Sequence, residues 1–279
     1  MTGKILVLGA TGNVGTPLVQ QLVAAGEQVK AASRHATPVE GAEAVRFDYT
    51  DQSSVDAAFE GVDRAYVMLS GGYVNVIELL QPIIEAAAER GVKVVMQSVL
   101  GVDADDNIPY RQVELLLERS GTPFVILRPN WFSDNFHTYW LAGIKQGVIA
   151  VPAGEGKSSF IDVRDIAASA AAALTSDRFD GQAFNLTGPE ALSYGEAAAI
   201  LSEVASREIT YTAVDDATFI GLMTDAGVPH EYAELLASIY YPVREGWTAV
   251  VTGDVEALTG QAPRSLQTYA NDYAALFSG

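Results

Sequence analysis

The first apolar run of the chain is short, unbroken and followed by glycines. Residues Ile5–Leu8 include no polar position, which is typical of a strand buried on both faces of a parallel sheet. Gly9, Gly12 and Gly15 follow at three-residue steps, and an amphipathic segment then continues to Ala25. This strand, glycine turn and helix form the local context that a dinucleotide-binding fingerprint requires.

Apolar runs and helical patterns alternate as far as residue 130. Further strands are predicted near 28–33, 44–47, 64–69, 92–97 and 124–127, with helices near 51–59, 75–90 and 110–119. Such alternation predicts an α/β fold, a Rossmann-like doubly wound parallel sheet with right-handed crossovers. Ligands of these sheets bind beyond the carboxyl ends of the strands, so we expect the site at that edge.

The later part of the chain returns to the sheet and then becomes mainly helical. We predict an NAD(P)-binding Rossmann core of residues 1–150, rejoined by 160–187, and a smaller, interleaved α+β substrate lobe of 188–279. Residues 215–246 have a helical pattern in which Gly221, Gly227 and Pro229 are expected breaks. This segment is the best candidate for a lid over a substrate.

Composition narrows the class of protein. Of the 279 residues, 49% are hydrophobic and 19% charged, which is typical of a globular chain. A net charge of −18 without a basic cluster argues against a nucleic-acid partner. The chain contains no cysteine, which excludes disulfides and thiolate chemistry, and no metal site is predicted. No apolar run approaches the ~20 residues of a membrane span, and the N-terminus leads directly into a strand, which leaves no room for a signal peptide. We therefore expect a cytoplasmic protein. We also expect a monomer or a homodimer.

The glycine loop suggests specific contacts with a dinucleotide. Gly9 permits a tight turn, Gly12 lets the backbone approach a pyrophosphate, and Gly15 lets the helix pack close to the strand. The free N–H groups of the first helical turn would face the phosphates. The predicted cofactor-binding residues lie in this loop and at the ends of strands: Gly9, Thr11, Gly12, Asn13, Val14, Gly15, Ser33, Arg34, Asp48, Leu69, Ser70, Gln97, Ser98, Pro129 and Asn130. For Asp48, a contact with the adenine edge and a capping role in the following turn are equally weighted alternatives.

The end of the second predicted strand discriminates between NAD(H) and NADP(H). An NAD site places a carboxylate there, whereas an Arg accommodates the 2′-phosphate of NADP. The chain has Ser33-Arg34-His35 at this point and no carboxylate. We therefore predict NADP(H) in preference to NAD(H), the alternative being that Arg34 is an exposed loop residue without a ligand.

The segment after the sixth predicted strand is rich in aromatic residues. Phe132, Phe136 and Trp140 would fall on one helical face. They form either part of the core or a flat apolar wall for an aromatic substrate, and both interpretations remain open. The predicted substrate-binding residues are Trp131, Phe132, Phe136, Trp140 and, from the lid segment, Tyr240.

Several motifs together resemble one family. They are Gly9-Ala-Thr-Gly-Asn-Val-Gly15, Ser33-Arg34, Ser120-Gly-Thr-Pro-Phe-Val-Ile-Leu-Arg-Pro-Asn-Trp-Phe132, Phe160-Ile-Asp-Val-Arg-Asp-Ile-Ala167 and Asn185-Leu-Thr-Gly-Pro-Glu190. In this order they resemble the NmrA-like, atypical short-chain dehydrogenase/reductases, and the tail resembles a branch that includes ergot-alkaloid iminium reductases. The resemblance implies an oxidoreductase that uses NADPH on electron-poor small molecules such as quinones, iminium ions and cationic dyes.

One departure from the wider superfamily limits the chemistry. Its usual Tyr-x-x-x-Lys proton relay is matched here by Tyr110-Arg-Gln-Val-Glu114, with a carboxylate in place of the Lys. A negative charge one helical turn away favours the neutral phenol, so Tyr110 is expected to stay protonated. The family Ser falls on Ser98 or on Val99. The candidate catalytic residues are Tyr110, Ser98 and His137.

Two functions follow from this pattern. Oxidising an alcohol needs a base, whereas reducing an electron-poor acceptor needs mainly a positioned hydride donor. The first hypothesis is therefore an NADPH-dependent reductase of a planar small molecule. The alternative is a non-catalytic NADP(H)-binding sensor that acts through a protein partner, since the missing Lys would suit a protein that binds the dinucleotide without turnover.

Overall fold

The strands of the chain form one large sheet and two small ones. The computed structural model describes residues 3–278, and their strands are β1 (Lys4–Leu8), β2 (Val29–Ser33), β3 (Glu43–Arg46), β4 (Val62–Val67), β5 (Lys93–Gln97), β6 (Phe124–Pro129), β7 (Val148–Val151), β8 (Lys157–Ser158), β9 (Gln182–Leu186), β10 (Leu192–Ser193) and β11 (Thr210–Ala213). Seven of them form a parallel sheet in the order β3-β2-β1-β4-β5-β6-β9. The predicted doubly wound Rossmann-like sheet is therefore confirmed.

Helices connect these strands and make up most of the later chain. They are α1 (Gly15–Ala24), α2 (Gln52–Phe59), α3 (Val76–Glu89), α4 (Pro109–Arg119), α5 (Leu141–Lys145), α6 (Val163–Leu174), α7 (Tyr194–Ala205), α8 (Asp216–Asp225), α9 (His230–Ser238), α10 (Tyr241–Arg244), α11 (Asp254–Thr259), α12 (Leu266–Asp272) and α13 (Ala274–Phe277). Several N-termini are capped as their sequences predict. Asp51 accepts from the backbone of Ser53, and Ser193 forms a reciprocal capping box with Glu196.

The chain divides into two compact units. The first contains the chain up to Pro129, Val163–Leu186 and Asp254–Gln261, and the second contains Asn130–Asp162, Thr187–Gly253 and the chain from Ala262 onward. The first boundary thus falls at Pro129 and not at 150, because β7 pairs with β11 of the second unit. Helix α11 belongs to the first unit, since it packs on α6 and β9.

In the first unit, helices cover both faces of the large sheet. Residues of α2, α3 and α4 form one core with alternate residues of the central strands, among them Leu6, Ala65, Val94 and Met96. Helices α1 and α6 pack on each other, and α6 also packs on β4, β5 and β6. Because neighbouring side chains of a strand point to opposite faces, the residues between those of the first core face α1 and α6.

Two local predictions in the second unit were wrong. The segment from Trp131 to Trp140 is not one helix, but an extended stretch, a 3-10 turn at Ser133–Phe136 and a loop. The cause is backbone pairing, since Ser133 donates to the Ile161 carbonyl over 2.8 Å and Ile161 donates to Trp131 over 2.8 Å. Gly221 lies inside α8 and does not break it, whereas Gly227 and Pro229 do separate α8 from α9.

Among residues 3–278, no helix combines the length and apolar character needed to cross a membrane.

Candidate cofactor and substrate sites

The glycine loop after β1 has the geometry that its spacing predicts. Gly9 has a φ of +66°, which L side chains rarely adopt, so the tight turn needs glycine there. A Cβ on Gly15 would overlap the Gly9 carbonyl oxygen and lie 2.8 Å from the Ala10 Cα. A Cβ on Gly12 would lie 3.2 Å from the same oxygen. The close approach of α1 to β1 is therefore confirmed.

Two backbone donors just before α1 are unused in the part of the chain that the structure describes. Within residues 3–278, the N–H groups of Asn13 and Val14 donate to no acceptor, while Gly12 and Thr16 donate inside the loop. Thr11 is exposed beside them, and Pro17 has no N–H to offer. Free N–H groups at a helix N-terminus, with no Cβ in front of them, fit a pyrophosphate.

The loop after β2 presents one arginine to solvent. The Ser33 Oγ accepts from Thr37 N over 2.9 Å, and Ala36, with a φ of +48°, closes the turn. Arg34 is exposed and has no ion-pair or hydrogen-bond partner in the part of the chain that the structure describes. Most other arginines are engaged, as in the ion pairs of Arg46, Arg64, Arg90, Arg111, Arg128 and Arg244. A guanidinium left free in this position fits a 2′-phosphate.

Of the two alternatives for Asp48, a contact with the adenine edge or a capping role in the following turn, the structure shows the capping role. Its Oδ1 accepts from the backbone N–H of Thr50 over 2.9 Å and from the Thr50 hydroxyl over 2.8 Å. These hydrogen bonds hold the pKa of the Asp48 carboxyl below its usual value. A contact between Asp48 and the adenine stays a prediction, as do contacts of Leu69, which is buried in the core, and Ser70.

The end of β5 carries two polar side chains. Gln97, the last residue of the strand, accepts a hydrogen bond from the hydroxyl of Tyr66. Ser98 follows and is buried, and no partner for its Oγ lies in the part of the chain that the structure describes. Val99 is 43% exposed. A contact between the Ser98 hydroxyl and a ligand stays a prediction.

Pro129 and Asn130 hold the chain after β6 in place. The carbonyl of Pro129 accepts from Leu100 N over 3.1 Å. The Asn130 amide donates to Ser159 Oγ and to the Thr248 carbonyl and accepts from Trp131 N. Because the side chain of Asn130 is fully engaged, we assign it a structural role in the second unit, and its contact with a cofactor stays a prediction.

Glu114 does not carry the free negative charge that the sequence suggested. It is fully buried, and Arg128 donates to both of its oxygens, over 2.9 and 2.7 Å. Arg111 adds a third bond of 3.0 Å. A buried carboxylate must be paired, and two guanidinium groups neutralise this one. The argument that Glu114 keeps Tyr110 protonated was therefore wrong, although the position still lacks a Lys.

The aromatic residues of the second unit form one cluster. Trp131 is stacked on Trp140 at 6.1 Å between ring centroids and lies 4.8 Å from Tyr240. Phe136 is fully buried against Phe160, so the core interpretation applies to it, and Tyr240 is buried as well. Trp131 and Trp140 are only partly buried, as is Phe132. These three side chains therefore retain some exposed ring surface, which a flat apolar wall for an aromatic substrate would require.

His137 contacts two tyrosines of the same unit, and both belong to the hydrophobic core that the aromatic cluster forms. Its Nδ1 is hydrogen-bonded to the hydroxyl of Tyr269, and its ring stacks on Tyr273 at 4.6 Å. Burial lowers the pKa of His137, and the negative charge of Asp162 opposes that effect only in part. A catalytic role for His137 stays a prediction, and at neutral pH its imidazole would be uncharged.

The lowered pKa of His137 has a consequence for stability. The unfolded chain takes up a proton near pH 6.5, where the folded protein does not. We therefore expect the free energy of unfolding, measured by urea titration, to decrease as the pH falls from 7 to 5.5, and this decrease to become shallower in His137→Gln. His35→Gln, a change at an exposed histidine, is the matched control. If the free energy of unfolding decreases equally steeply with falling pH in wild type and in His137→Gln, a lowered pKa of His137 is contradicted.

Among residues 3–278, no group of three or more His, Asp or Glu side chains is arranged to hold a metal ion.

Two residues that hold predicted site residues in place were not predicted from the sequence. Tyr66 and Arg128 were not singled out, yet each fixes a residue that was, Gln97 and Glu114. Their separations in sequence are 31 and 14 positions, so no local pattern connects them. The apolar context of Tyr66 in β4 was the one available signal, because a buried Tyr hydroxyl requires a partner.

Comparison with known proteins agrees with this fold. Residues 1–266 match the family model described as NmrA-like family. An uncharacterized oxidoreductase, YesF of Bacillus subtilis, is 34% identical and covers 98% of this chain and 96% of its own. The NAD(P)H azoreductase of Xenophilus azovorans is 32% identical over 98% of this chain and 99% of its own. A crystal structure of the Citrobacter sp. triphenylmethane reductase complexed with NADP(H) has a TM-score of 0.81 and 26% identity, and covers 97% of this chain and 99% of that one.

These matches extend over almost the whole chain, and they confirm the resemblance that the motifs carried. They also support the prediction of an oxidoreductase. The chain belongs to the NmrA-like family.

Proposed function

We propose that the protein is an NADPH-dependent reductase that transfers hydride to a planar, electron-poor small molecule of the quinone, iminium or dye type. The observation that carries the proposal is the glycine loop, where a side chain on Gly15 would overlap the backbone and where the N–H groups of Asn13 and Val14 are free. The azoreductase relative, similar over nearly its full length, supports a reductive activity on small molecules.

The residues of this chain would bind and orient the reactants. The loop donors would hold the pyrophosphate, and Arg34 would hold the 2′-phosphate. When bound, NADPH supplies a hydride from its nicotinamide ring. Trp131 and Trp140, stacked and partly buried, offer flat apolar surface that suits a planar acceptor.

No proton relay is needed for such acceptors. The position of the relay Lys is taken by Glu114, whose oxygens accept hydrogen bonds from two arginines, so this position provides no ammonium group for a Tyr/Lys relay. A quinone takes up one hydride and one proton, and an iminium ion or cationic dye takes up the hydride alone. The proton for a quinone would come from Tyr110, His137 or water, and proximity would supply much of the rate.

The proposal is tested by NADPH consumption with a panel of acceptors. We expect turnover with at least one quinone, iminium compound, azo compound or triphenylmethane dye, and none with simple alcohols and NADP⁺. Tight NADP⁺ binding without turnover on any acceptor would contradict the reductase proposal and favour the alternative, an NADP(H)-binding sensor that acts through a protein partner.

Arg34→Ala tests the preference for NADP(H). Because a charge-assisted contact with the 2′-phosphate would be lost, we expect the Kd for NADPH to rise about tenfold to hundredfold, with little change for NADH. Arg119→Ala is the control, since Arg119 is also exposed and has no ion pair in the part of the chain that the structure describes. Equal losses for the two cofactors, measured by fluorescence titration, would show that Arg34 does not bind the 2′-phosphate.

A further inference from the structure

Tyr66 is a fully buried tyrosine in the middle of the large sheet. It lies on β4 between Ala65 and Val67, which belong to the core formed with α2, α3 and α4. By alternation the Tyr66 side chain points to the opposite face, the one covered by α1 and α6. Burial raises the pKa of its phenol, so the hydroxyl stays protonated and remains a hydrogen-bond donor.

Among residues 3–278, that hydroxyl has one acceptor, the side chain of Gln97. Tyr66 pairs in register with Val95 of β5, and Gln97 is two residues further on the same face. The hydroxyl donates to the Gln97 Oε1. An amide side chain has an oxygen at one end and an NH2 group at the other, and only the oxygen can accept a hydrogen bond from the phenol. Tyr66 therefore fixes which way the Gln97 amide is turned.

The other end of the amide is left free. The Gln97 Nε2 carries two N–H donors, and neither meets an acceptor in the part of the chain that the structure describes. Gln97 is the last residue of β5, so its side chain lies at the carboxyl edge of the sheet, the edge at which the glycine loop follows β1. A pair of oriented donors is thus held at the edge where ligands of such sheets bind.

The strand order decides which part of a dinucleotide these donors would meet. The chain turns from β1 to β2 and β3 on one side and to β4, β5 and β6 on the other. In doubly wound sheets the two halves of a dinucleotide lie on either side of this switch point. Arg34, at the end of β2, belongs to the adenosine side. Gln97, two strands from β1 on the other side and so about 10 Å away, belongs to the nicotinamide side.

We propose that the Gln97 amide donates to the carbonyl oxygen of the nicotinamide carboxamide, and that Tyr66 is the positioning residue that holds it in the donating orientation. The inference rests on the proposed function and deepens it. A hydrogen bond to the carboxamide oxygen would select one rotation of the nicotinamide ring. Tyr66 would then affect cofactor binding without touching the cofactor.

The experiment compares binding of NADP⁺ with binding of its thionicotinamide analogue. Sulfur replaces the carbonyl oxygen in the analogue and is a weak acceptor. We expect wild type to bind NADP⁺ about fivefold to tenfold more tightly, the range of one hydrogen bond. Gln97→Leu should bring the ratio of the two Kd values close to one. Tyr66→Phe should do the same, and should change nothing further when combined with Gln97→Leu.

Tyr49→Phe is the matched control. Tyr49 is partly buried in the first unit, and its hydroxyl donates to the backbone carbonyl of Met68 over 2.7 Å. Loss of the Tyr49 hydroxyl should lower the melting temperature, as loss of the Tyr66 hydroxyl should, and leave the ratio of Kd values at the wild-type level. A merely structural role of Tyr66 would give the same pattern for both variants.

The outcomes separate this inference from the proposed function. A ratio near one in wild type, or a wild-type ratio in Gln97→Leu, would overturn the contact between Gln97 and the carboxamide. A wild-type ratio in Tyr66→Phe would overturn the positioning role. Failure of wild type to bind NADP⁺ at all would overturn the proposed function, and this inference with it. Because every readout is binding, absence of turnover on the acceptors tested leaves the inference intact.

Discussion

Gly15→Ala is expected to lower the affinity for NADP(H) and the rate of reduction by about a hundredfold or more. The added Cβ would meet three backbone atoms of the turn, among them the carbonyl carbon of Gly9 at 2.7 Å and the Cα of Ala10 at 2.8 Å. Backbone cannot rotate away as a flexible side chain can, so the N-terminus of α1 must move. The free donors of Asn13 and Val14 would move with it, and overpacking of this kind also costs about 1–3 kcal/mol of stability.

Gly221→Ala is the control for this prediction. Gly221 lies inside α8, and an added Cβ there would have no heavy atom within 4 Å. We expect it to raise the free energy of unfolding by up to about 1 kcal/mol and to leave cofactor affinity unchanged. Gly12→Ala, with its single contact at 3.2 Å, should lie between the two. Wild-type affinity in Gly15→Ala, measured by titration calorimetry, would exclude the loop as the pyrophosphate site.

Glu114→Ala is expected to cost about 3–5 kcal/mol of stability. The carboxylate accepts two hydrogen bonds from Arg128 and one from Arg111 and is fully buried. Removing it leaves the buried guanidinium of Arg128 with Asp103 alone, at 2.6 Å. The measurement is the free energy of unfolding from urea titration. A cost below 1 kcal/mol would show that the network does not hold α4 on β6.

Two further variants isolate the cause. Glu118→Ala removes the more exposed carboxylate that also pairs with Arg111, at 2.8 Å, and should cost less than about 1 kcal/mol. Replacing Glu114 and Arg128 together with Met should cost much less than Glu114→Ala, because no charge is then left buried without its partner. Glu114→Lys, which introduces the Lys of the wider superfamily's relay, should destabilise the fold and give no alcohol oxidation.

Much of the first unit could be predicted from the sequence because its signals are local. The buried run Ile5–Leu8, the glycine spacing and the Asp51 cap each act within a few residues, and the structure confirms all three. The place of Arg34 at the carboxyl end of a strand also followed from the alternation of strands and helices. Its freedom from ion pairs did not, because that depends on where the carboxylates of the chain come to lie.

The errors have a common physical origin in tertiary contacts. Pairing with Ile161 prevents a helix over the aromatic segment after β6, although the periodicity there is helical. Glu114 looked like a free charge because its partner Arg128 is on a different element. Tyr240 looked like a lid residue and is instead buried among aromatic rings. In each case the local pattern was real and a distant residue decided the outcome.

The central claim is that this chain passes a hydride from NADPH to an electron-poor carbon or oxygen. It is tested most directly with two samples of NADPH, one deuterated at the pro-R and one at the pro-S position of C4 of the nicotinamide, and a cationic triphenylmethane dye as acceptor. The proposal predicts that the colourless product carries one deuterium at its central carbon with one of the two samples and none with the other, as read by mass spectrometry. Loss of colour without deuterium in the product from either sample, or no reaction of the dye and of the other acceptor classes with the NADPH-loaded protein, would contradict it.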